Sequence, residues 1–250
     1  MEPTILYEDD AVLVIDKPAG LIVHSDGRTE EPSVAAWVLE KYPQMAAVGE
    51  PWTSPQGETI LRPGIVHRLD RGTSGVMILA KSAAAYAFLK EQFQARSTEK
   101  TYRALVYGHP AKDAGVVEAE IVRIRSVPPR WGVAREGEGK KERAAVTAWR
   151  VLARGADPDS GEKVSVIEAK PKTGRTHQIR VHLKYLNHPV VCDPLYAKGR
   201  PCLFGFERPA LHALSLAIAL PSGLPAQAGA RRTFEAPLPA DFAAALEKMA

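Results

Sequence analysis

Val76–Ala80 reads VMILA, an unbroken apolar run held between the turn-rich stretch HRLDRGTSG (His67–Gly75) and Lys81. A run this short is a strand buried within a sheet rather than a helix. The segments around it follow two different periods, and together they set the fold class. ILYEDDAVLVIDKPAG is a hairpin pattern: apolar Ile5 to Tyr7, a turn at Glu8 to Asp10, then Val12 to Ile15. TEKTYRALVYG alternates, which places Lys100, Tyr102, Ala104 and Val106 on one strand face. GVVEAEIVRI, AAVTAWRVL and KVSVIEA are further strand-like runs. Helical spacing occurs in PSVAAWVLEKY, through Val34, Trp37, Val38 and Tyr42. SAAAYAFLKEQFQAR opens on a Ser82 cap and repeats Ala85, Leu89 and Phe93. In GRTHQIRVHLKYL, Ile179, Leu183 and Leu186 form an inner face, while His177, Arg180 and Lys184 fall on another. This strand-rich, irregular order, without internal repeats, predicts an α+β fold rather than a doubly wound α/β one.

The 250 residues, 45% of them hydrophobic, suffice for one large domain or two packed lobes. Formal charge is +4, and its distribution says more than its total. From Arg123 to Arg143 seven basic residues face three acidic ones, an excess equal to that of the whole chain. Pro128-Pro129 and the glycines at 132, 137 and 139 predict a mobile basic loop there. Lys163 to Lys184 holds six basic residues against Glu168 alone. Both stretches favour phosphate contacts over a neutral partner. Two cysteines, Cys192 and Cys202, make neither a disulfide scaffold nor the paired spacing of a zinc site. No signal-peptide-length apolar run opens the chain, and nowhere do eighteen apolar residues run together. The expectation is a soluble, reduced, cytoplasmic protein with no membrane partner.

HRLDRGTSG sets one carboxylate, Asp70, between Arg68 and Arg71 on a glycine-bearing turn. A surface ion pair accounts for the charges but not for the turn. HRLD is close to a kinase catalytic loop, yet no glycine-rich nucleotide loop, VAIK-like strand or DFG accompanies it. GxxxxGK[ST], GxGxxG, HExxH and GxSxG are all missing, which argues against nucleotide cofactors, zinc peptidases and serine hydrolases. His67, His177 and His182 lack a carboxylate set for a metal, so structural or phosphate-facing roles are preferred. Glycoside hydrolysis needs two facing carboxylates, and here one acid stands among cations.

HRLDRGTSGVMILAKS resembles the signature of the RluA-type pseudouridine synthases, which isomerise uridine in structured RNA. ILYEDDAVLVIDKPAGLIVHS resembles the opening motif of that family, and KTYRALVYG the motif after the signature. GRTHQIRVHLKYLNHPVVCDPLY resembles its late arginine motif and Leu211-His212-Ala213 its closing one. The pieces keep family order from about residue 5 to residue 215. The resemblance implies a pseudouridine synthase fold: a mixed, mainly antiparallel sheet flanked by helices and loops, with a catalytic cleft across the sheet. It implies one catalytic domain over residues 1–250, in two packed lobes, with no N-terminal accessory RNA-binding module.

It also implies roles for individual residues. Asp70 is the catalytic carboxylate, acting with no metal or cofactor. Arg180 matches the position whose guanidinium pairs with that aspartate and keeps it ionised against burial. Tyr102 matches a tyrosine that stacks on the uracil and helps remove its carbon-5 proton. The target uridine must be flipped from the stack, at a few kcal/mol. Arg68 occupies the vacated space or meets neighbouring phosphates, and Lys100 supports the site. Arg71, Arg175 and His177 contact the RNA backbone, and Arg130, Arg135, Lys140 and Lys141 clamp it from the basic loop. The implied partner is a structured RNA, a tRNA or ribosomal RNA stem-loop, met by a monomer. The rival reading is a catalytically silent RNA-binding or RNA-chaperone protein on the same fold. Against it, a silent binder has no need of an acid beside a phosphate path. Cys192 departs from the pattern, standing where the family usually has glycine, and is strained if that backbone requires positive φ. The segment Leu216 to Gly229 is only loosely family-like, and the resemblance implies no role for it.

Overall fold

The computed structural model describes residues 1–27, 31–54, 57–124, 130–134, 144–222 and 227–249. In chain order its elements are β1 (Thr4–Glu8), β2 (Val12–Lys17), α1 (Val34–Lys41), β3 (Trp52–Thr53), β4 (Thr59–Ile60), β5 (Ser74–Ala80), α2 (Ala83–Ala95) and β6 (Glu99–Tyr107). There follow β7 (Ala114–Glu118), β8 (Ile121–Ile124), β9 (Arg130–Val133), β10 (Val146–Ala156), β11 (Lys163–Pro171), α3 (Gln178–Tyr185), β12 (Leu211–Ser222), β13 (Gln227–Glu235) and α4 (Ala240–Lys248). They form two compact units, Met1–Glu99 with Ala213–Pro237 and Lys100–His212 with Leu238–Ala250.

In the first unit the strand order is β1-β2-β5-β12, with β13 paired to β12. The β1–β2 hairpin forms as the sequence pattern requires, and β2 runs antiparallel to β5 from Val12↔Ala80 to Lys17↔Gly75. Every residue of β5 is buried, as an apolar run flanked by strands on both sides must be. The Ser82 side chain accepts a hydrogen bond from the Ala85 N–H at 3.2 Å and so caps α2. Gly75, the last residue of HRLDRGTSG, has φ +118°, and a Cβ there would stand 2.2 Å from the Ala213 carbonyl oxygen. Glycine at this position is what lets the strand following the turn reach β12.

In the second unit the order is β6-β11-β10-β7, antiparallel at each pairing. Its core joins Ala104–Tyr107 of β6, Ile179 and Leu183 of α3, and Phe242 and Ala245 of α4. Three expectations need correction here. GVVEAEIVRI is two strands, β7 and β8, not one. The basic stretch 123–143 is not wholly irregular: Arg130–Val133 forms β9 and pairs with β8 from Ile121↔Val133 to Ile124↔Arg130. Trp131 drives this, packing on the cluster of Ile121, Ala145, Val181 and Tyr196, while Gly132 makes room for Ile124. Arg135, Lys140 and Lys141 lie outside the described residues. Finally, Cys192 and Cys202 form a disulfide, with Cα atoms 4.5 Å apart.

Candidate active site

Asp70 begins a tight turn in the first unit, closed by the Thr73 N–H donating to the Asp70 carbonyl oxygen at 3.1 Å. The next residue anchors that turn. The Arg71 carbonyl accepts from the Gly20 N–H at 2.8 Å and from the Lys17 ammonium at 3.3 Å. Lys17 is fully buried and also donates to the carbonyls of Pro18 and Leu21, each at 2.8 Å. A buried ammonium needs several acceptors to offset its lost hydration, and the turn supplies one of them. Lys17 therefore ties the DKPAG segment to the segment that presents Asp70. Beside it on β2, Asp16 has its carboxyl pushed up by burial, against the opposing effects of the Gly75 N–H and the Lys17 charge. His67 accepts a hydrogen bond from the Ile78 N–H at 3.1 Å through Nε2 and stacks on Phe93 with centroids 4.6 Å apart. That accounts for His67 as a structural residue.

The two flanking arginines differ. Arg71 is exposed and pairs with Glu31 at 2.5 Å. Arg68 is exposed and makes no hydrogen bond or ion pair among the described residues. Of the two, Arg68 is the one whose guanidinium stands open to an incoming anion.

In the second unit, Lys100 and Tyr102 lie on β6, partly buried, with Tyr102 opposite Ala169 and packed on the core. Burial pulls the Lys100 ammonium below its ordinary value. Arg180 is 5% exposed. Its Nε donates to Asp193 Oδ2 at 2.7 Å and its Nη2 to Oδ1 at 2.9 Å, the bidentate fork that suits guanidinium and carboxylate. Asp193 Oδ1 also accepts from the N–H groups of Leu195 (3.0 Å) and Tyr196 (3.1 Å). The Tyr196 ring lies 5.1 Å from the Arg180 guanidinium carbon. Arg180 is thus clamped in orientation within its own unit, by a residue to which the sequence reading gave no role. An Asp-Pro pair opening an Asx turn was the available signal.

The second face expected for α3 is divided: Arg180 is buried, His177 partly buried and Lys184 exposed. His177 precedes the helix in a left-handed conformation (φ 56°), and Gln178, Arg180 and His182 are buried. Strands β9, β10 and β11 all pack on this helix, and only its last turn, at Lys184 and Tyr185, is exposed. Gln178 fixes the preceding loop, accepting from the Arg175 N–H (3.0 Å) and the Thr173 hydroxyl (2.7 Å). It donates in turn to the Val146 carbonyl (3.0 Å) and the Thr147 hydroxyl oxygen (2.9 Å). His182 stays neutral because burial lowers its pKa from 6.5. Its Nε2–H donates to the Ala119 carbonyl at 3.2 Å and its Nδ1 accepts from the Thr147 hydroxyl at 2.9 Å. His177 Nδ1 is 2.9 Å from the Tyr196 hydroxyl, which also accepts from the Trp131 N–H at 3.1 Å. Arg175 is partly buried and donates to the Ala144 carbonyl at 3.3 Å, and Arg130 begins β9, paired with Ile124 at the end where the two strands are joined. Cys192, beside Asp193, has φ 56°, so the backbone there does call for the conformation that glycine adopts freely. Among the described residues no cluster of histidine, cysteine, aspartate and glutamate is arranged to hold a metal ion. None of the described helices is long and apolar enough to cross a membrane.

The family model for RNA pseudouridylate synthase matches residues 11–185. An uncharacterized RNA pseudouridine synthase of Synechocystis is 36% identical over 95% of this chain and 66% of its own length. The ribosomal large subunit pseudouridine synthase D of Zymomonas mobilis is 33% identical over 95% of this chain and 70% of its own. The chain thus spans about two thirds of the length of these relatives. Among solved structures, human RNA pseudouridylate synthase domain containing 4 aligns with a TM-score of 0.70 at 25% identity, over 98% of this chain and 92% of that one.

Proposed function

The chain belongs to the RNA pseudouridylate synthase family, whose members isomerise uridine in RNA, and we propose that here the reaction runs on Asp70 with Tyr102 and Arg180. The N-glycosidic bond of a uridine breaks, the uracil turns over, and the sugar carbon is rejoined to carbon 5. Carbon 5 gives up its proton and the freed ring nitrogen gains one, so nothing is oxidised and no outside reactant is consumed. The carboxylate can add to the sugar, add to the base or remove a sugar proton, and each route needs it ionised and shielded from water. The observation that carries the reading is the Asp70 turn, presented by HRLDRGTSG and anchored through Lys17 and Gly20. Such anchoring suits a group that must be held in one orientation.

Tyr102 stacks on the uracil and assists loss of the carbon-5 proton, and Lys100 supports the site. Arg180, oriented by Asp193, supplies the cation that keeps the catalytic acid charged. Arg68 meets the RNA beside the flipped nucleotide, and Arg71, Arg175, His177, Arg130, Arg135, Lys140 and Lys141 contact its backbone. The substrate is a stem-loop of ribosomal RNA or tRNA, bound by a monomer in the cytoplasm without nucleotide cofactor or metal. The name of the Zymomonas relative favours ribosomal RNA.

The test is release of tritium from RNA labelled at carbon 5 of uracil, in parallel on ribosomal RNA and tRNA. Native protein should release label, and Asp70→Asn should bind the same RNA without turnover, because an amide supplies no carboxylate. Equal release by both proteins would remove Asp70 from the mechanism. Binding without release on either RNA would favour the silent binder.

A further inference from the structure

The segment between α1 and β5 contains one cation whose setting the fold does not explain. Arg62 is partly buried, and its Nε, fully shielded from solvent, has no hydrogen-bond partner. Its guanidinium carbon lies 5.1 Å from the centre of the Trp52 ring, on the short β3 strand. No ion pair reaches it among the described residues. Its nearby charge is like its own: Arg68, of HRLD, is close enough to act against the charge of Arg62. Burial, Arg62 and Arg68 act against protonation of His24, while the Ser25 carbonyl and Asp26 favour it. A shielded guanidinium with no carboxylate, next to a second arginine that is itself unpaired, is costly to keep. Fixed N–H donors on a stacked, planar cation are also what a phosphate needs.

We propose that Arg62, oriented by Trp52 and joined by Arg68, forms a binding subsite for one backbone phosphate of the RNA. The inference rests on the RNA-uridine reading above and adds to it a contact from outside the five family-like motifs. Because Arg68 lies two residues before Asp70 in the same segment, a phosphate held here fixes the strand next to the nucleotide presented to Asp70. Trp52 stacks on the cation and so keeps the fork from turning away when no RNA is bound.

The experiment measures affinity for a fluorescein-labelled, uridine-rich RNA hairpin at several salt concentrations. Each phosphate contact contributes about 0.7–0.9 to the slope of log affinity against log salt. Arg62→Ala should lower that slope by one such contribution. Between about 50 and 200 mM salt, native protein should then lose roughly threefold more affinity than the variant. Arg62→Lys, which keeps the charge, should retain the slope, and Arg62→Gln serves as the neutral variant if alanine unfolds the chain. Arg96→Ala removes an exposed arginine of the same unit and should leave the slope native. A folded Arg62→Gln or Arg62→Ala with the native slope overturns the subsite. So does an equal fall in Arg96→Ala, which would make the effect one of net charge. Tritium release by the native protein is read separately: its loss, together with loss of salt-dependent RNA binding, would overturn the RNA reading and this inference with it. An unchanged slope in an active, RNA-binding protein would overturn this inference alone.

Discussion

Replacing Asp193 by alanine should be among the most damaging single changes in the second unit. The Arg180 and Asp193 side chains are 6% and 0% exposed, so neither charge has water to fall back on. Asp193→Ala removes both acceptors of the Arg180 fork and the acceptor for two backbone N–H groups, those of Leu195 and Tyr196. Breaking one side of a buried pair costs about 3–5 kcal/mol. The Tyr196 ring beside the guanidinium returns only a fraction of that. A loss of about 4 kcal/mol follows, which for a chain of this size lowers Tm by roughly 8–16 °C. The pair Arg150–Glu168 provides the contrast: Arg150 is 59% exposed and the buried Glu168 keeps Lys170 at 3.5 Å, so Arg150→Ala should cost no more than about 1 kcal/mol. Urea unfolding followed by circular dichroism measures both. The double change Arg180→Met with Asp193→Leu should recover most of the loss, since an apolar pair leaves no buried charge behind. A loss below about 1 kcal/mol for Asp193→Ala, or a double variant no more stable than the single, would refute the reasoning.

Three further outcomes follow from the same structure. Gly75→Ala forces a Cβ against the Ala213 carbonyl at positive φ and should cost at least about 3 kcal/mol. Gly174→Ala, with open space around it, should stay within about 0.5 kcal/mol in the same urea titration; equal effects would dismiss the close approach. Burial lowers the pKa of His24 and His182 from 6.5, so near that pH the unfolded chain takes up protons that the folded chain refuses. Stability should therefore fall as pH drops from about 7 through the lowered folded values, by up to ~1.4 kcal/mol per pH unit for each histidine. His182→Gln should flatten this fall, and a urea midpoint independent of pH in the native protein would contradict it. Cys192 and Cys202 are separated by 10 in sequence, so loss of their cross-link in Cys202→Ser should cost about 3 kcal/mol of loop-closure entropy. A native protein whose urea midpoint ignores added reductant would show that the bond is not formed.

Local features were readable from the sequence wherever short-range chemistry decides them. The β1–β2 hairpin, the buried β5 run, the Ser82 cap and the alternation of β6 all follow from neighbours a few residues apart. Long-range packing decided what was missed. Spacing alone did not show that three strands pack on α3 and that a polar network encloses Arg180 and His182, while Lys184 stays exposed. The proline pair and glycines of the basic stretch argued against any strand, but Trp131 had a cluster to pack on and β8 had an open edge. Two cysteines are too few for a disulfide scaffold, but a single bond needs only that their Cα atoms approach, and they do.

The same distinction applies within the candidate site. A motif can say that an arginine is required without saying which carboxylate holds it, because the partner is chosen by the fold. The sequence reading gave Arg180 a role without naming Asp193, thirteen residues along the chain, which the structure pairs with it. A guanidinium already clamped by a fixed carboxylate loses little freedom when substrate arrives. Asp193, itself held by the Leu195 and Tyr196 N–H groups, fixes the orientation of the Arg180 guanidinium. Lys17 stands in a similar relation to the Asp70 turn, which it holds through the Arg71 carbonyl. In both units the residue that positions the site lies in a different segment from the residue it positions, so neither can be read from one motif.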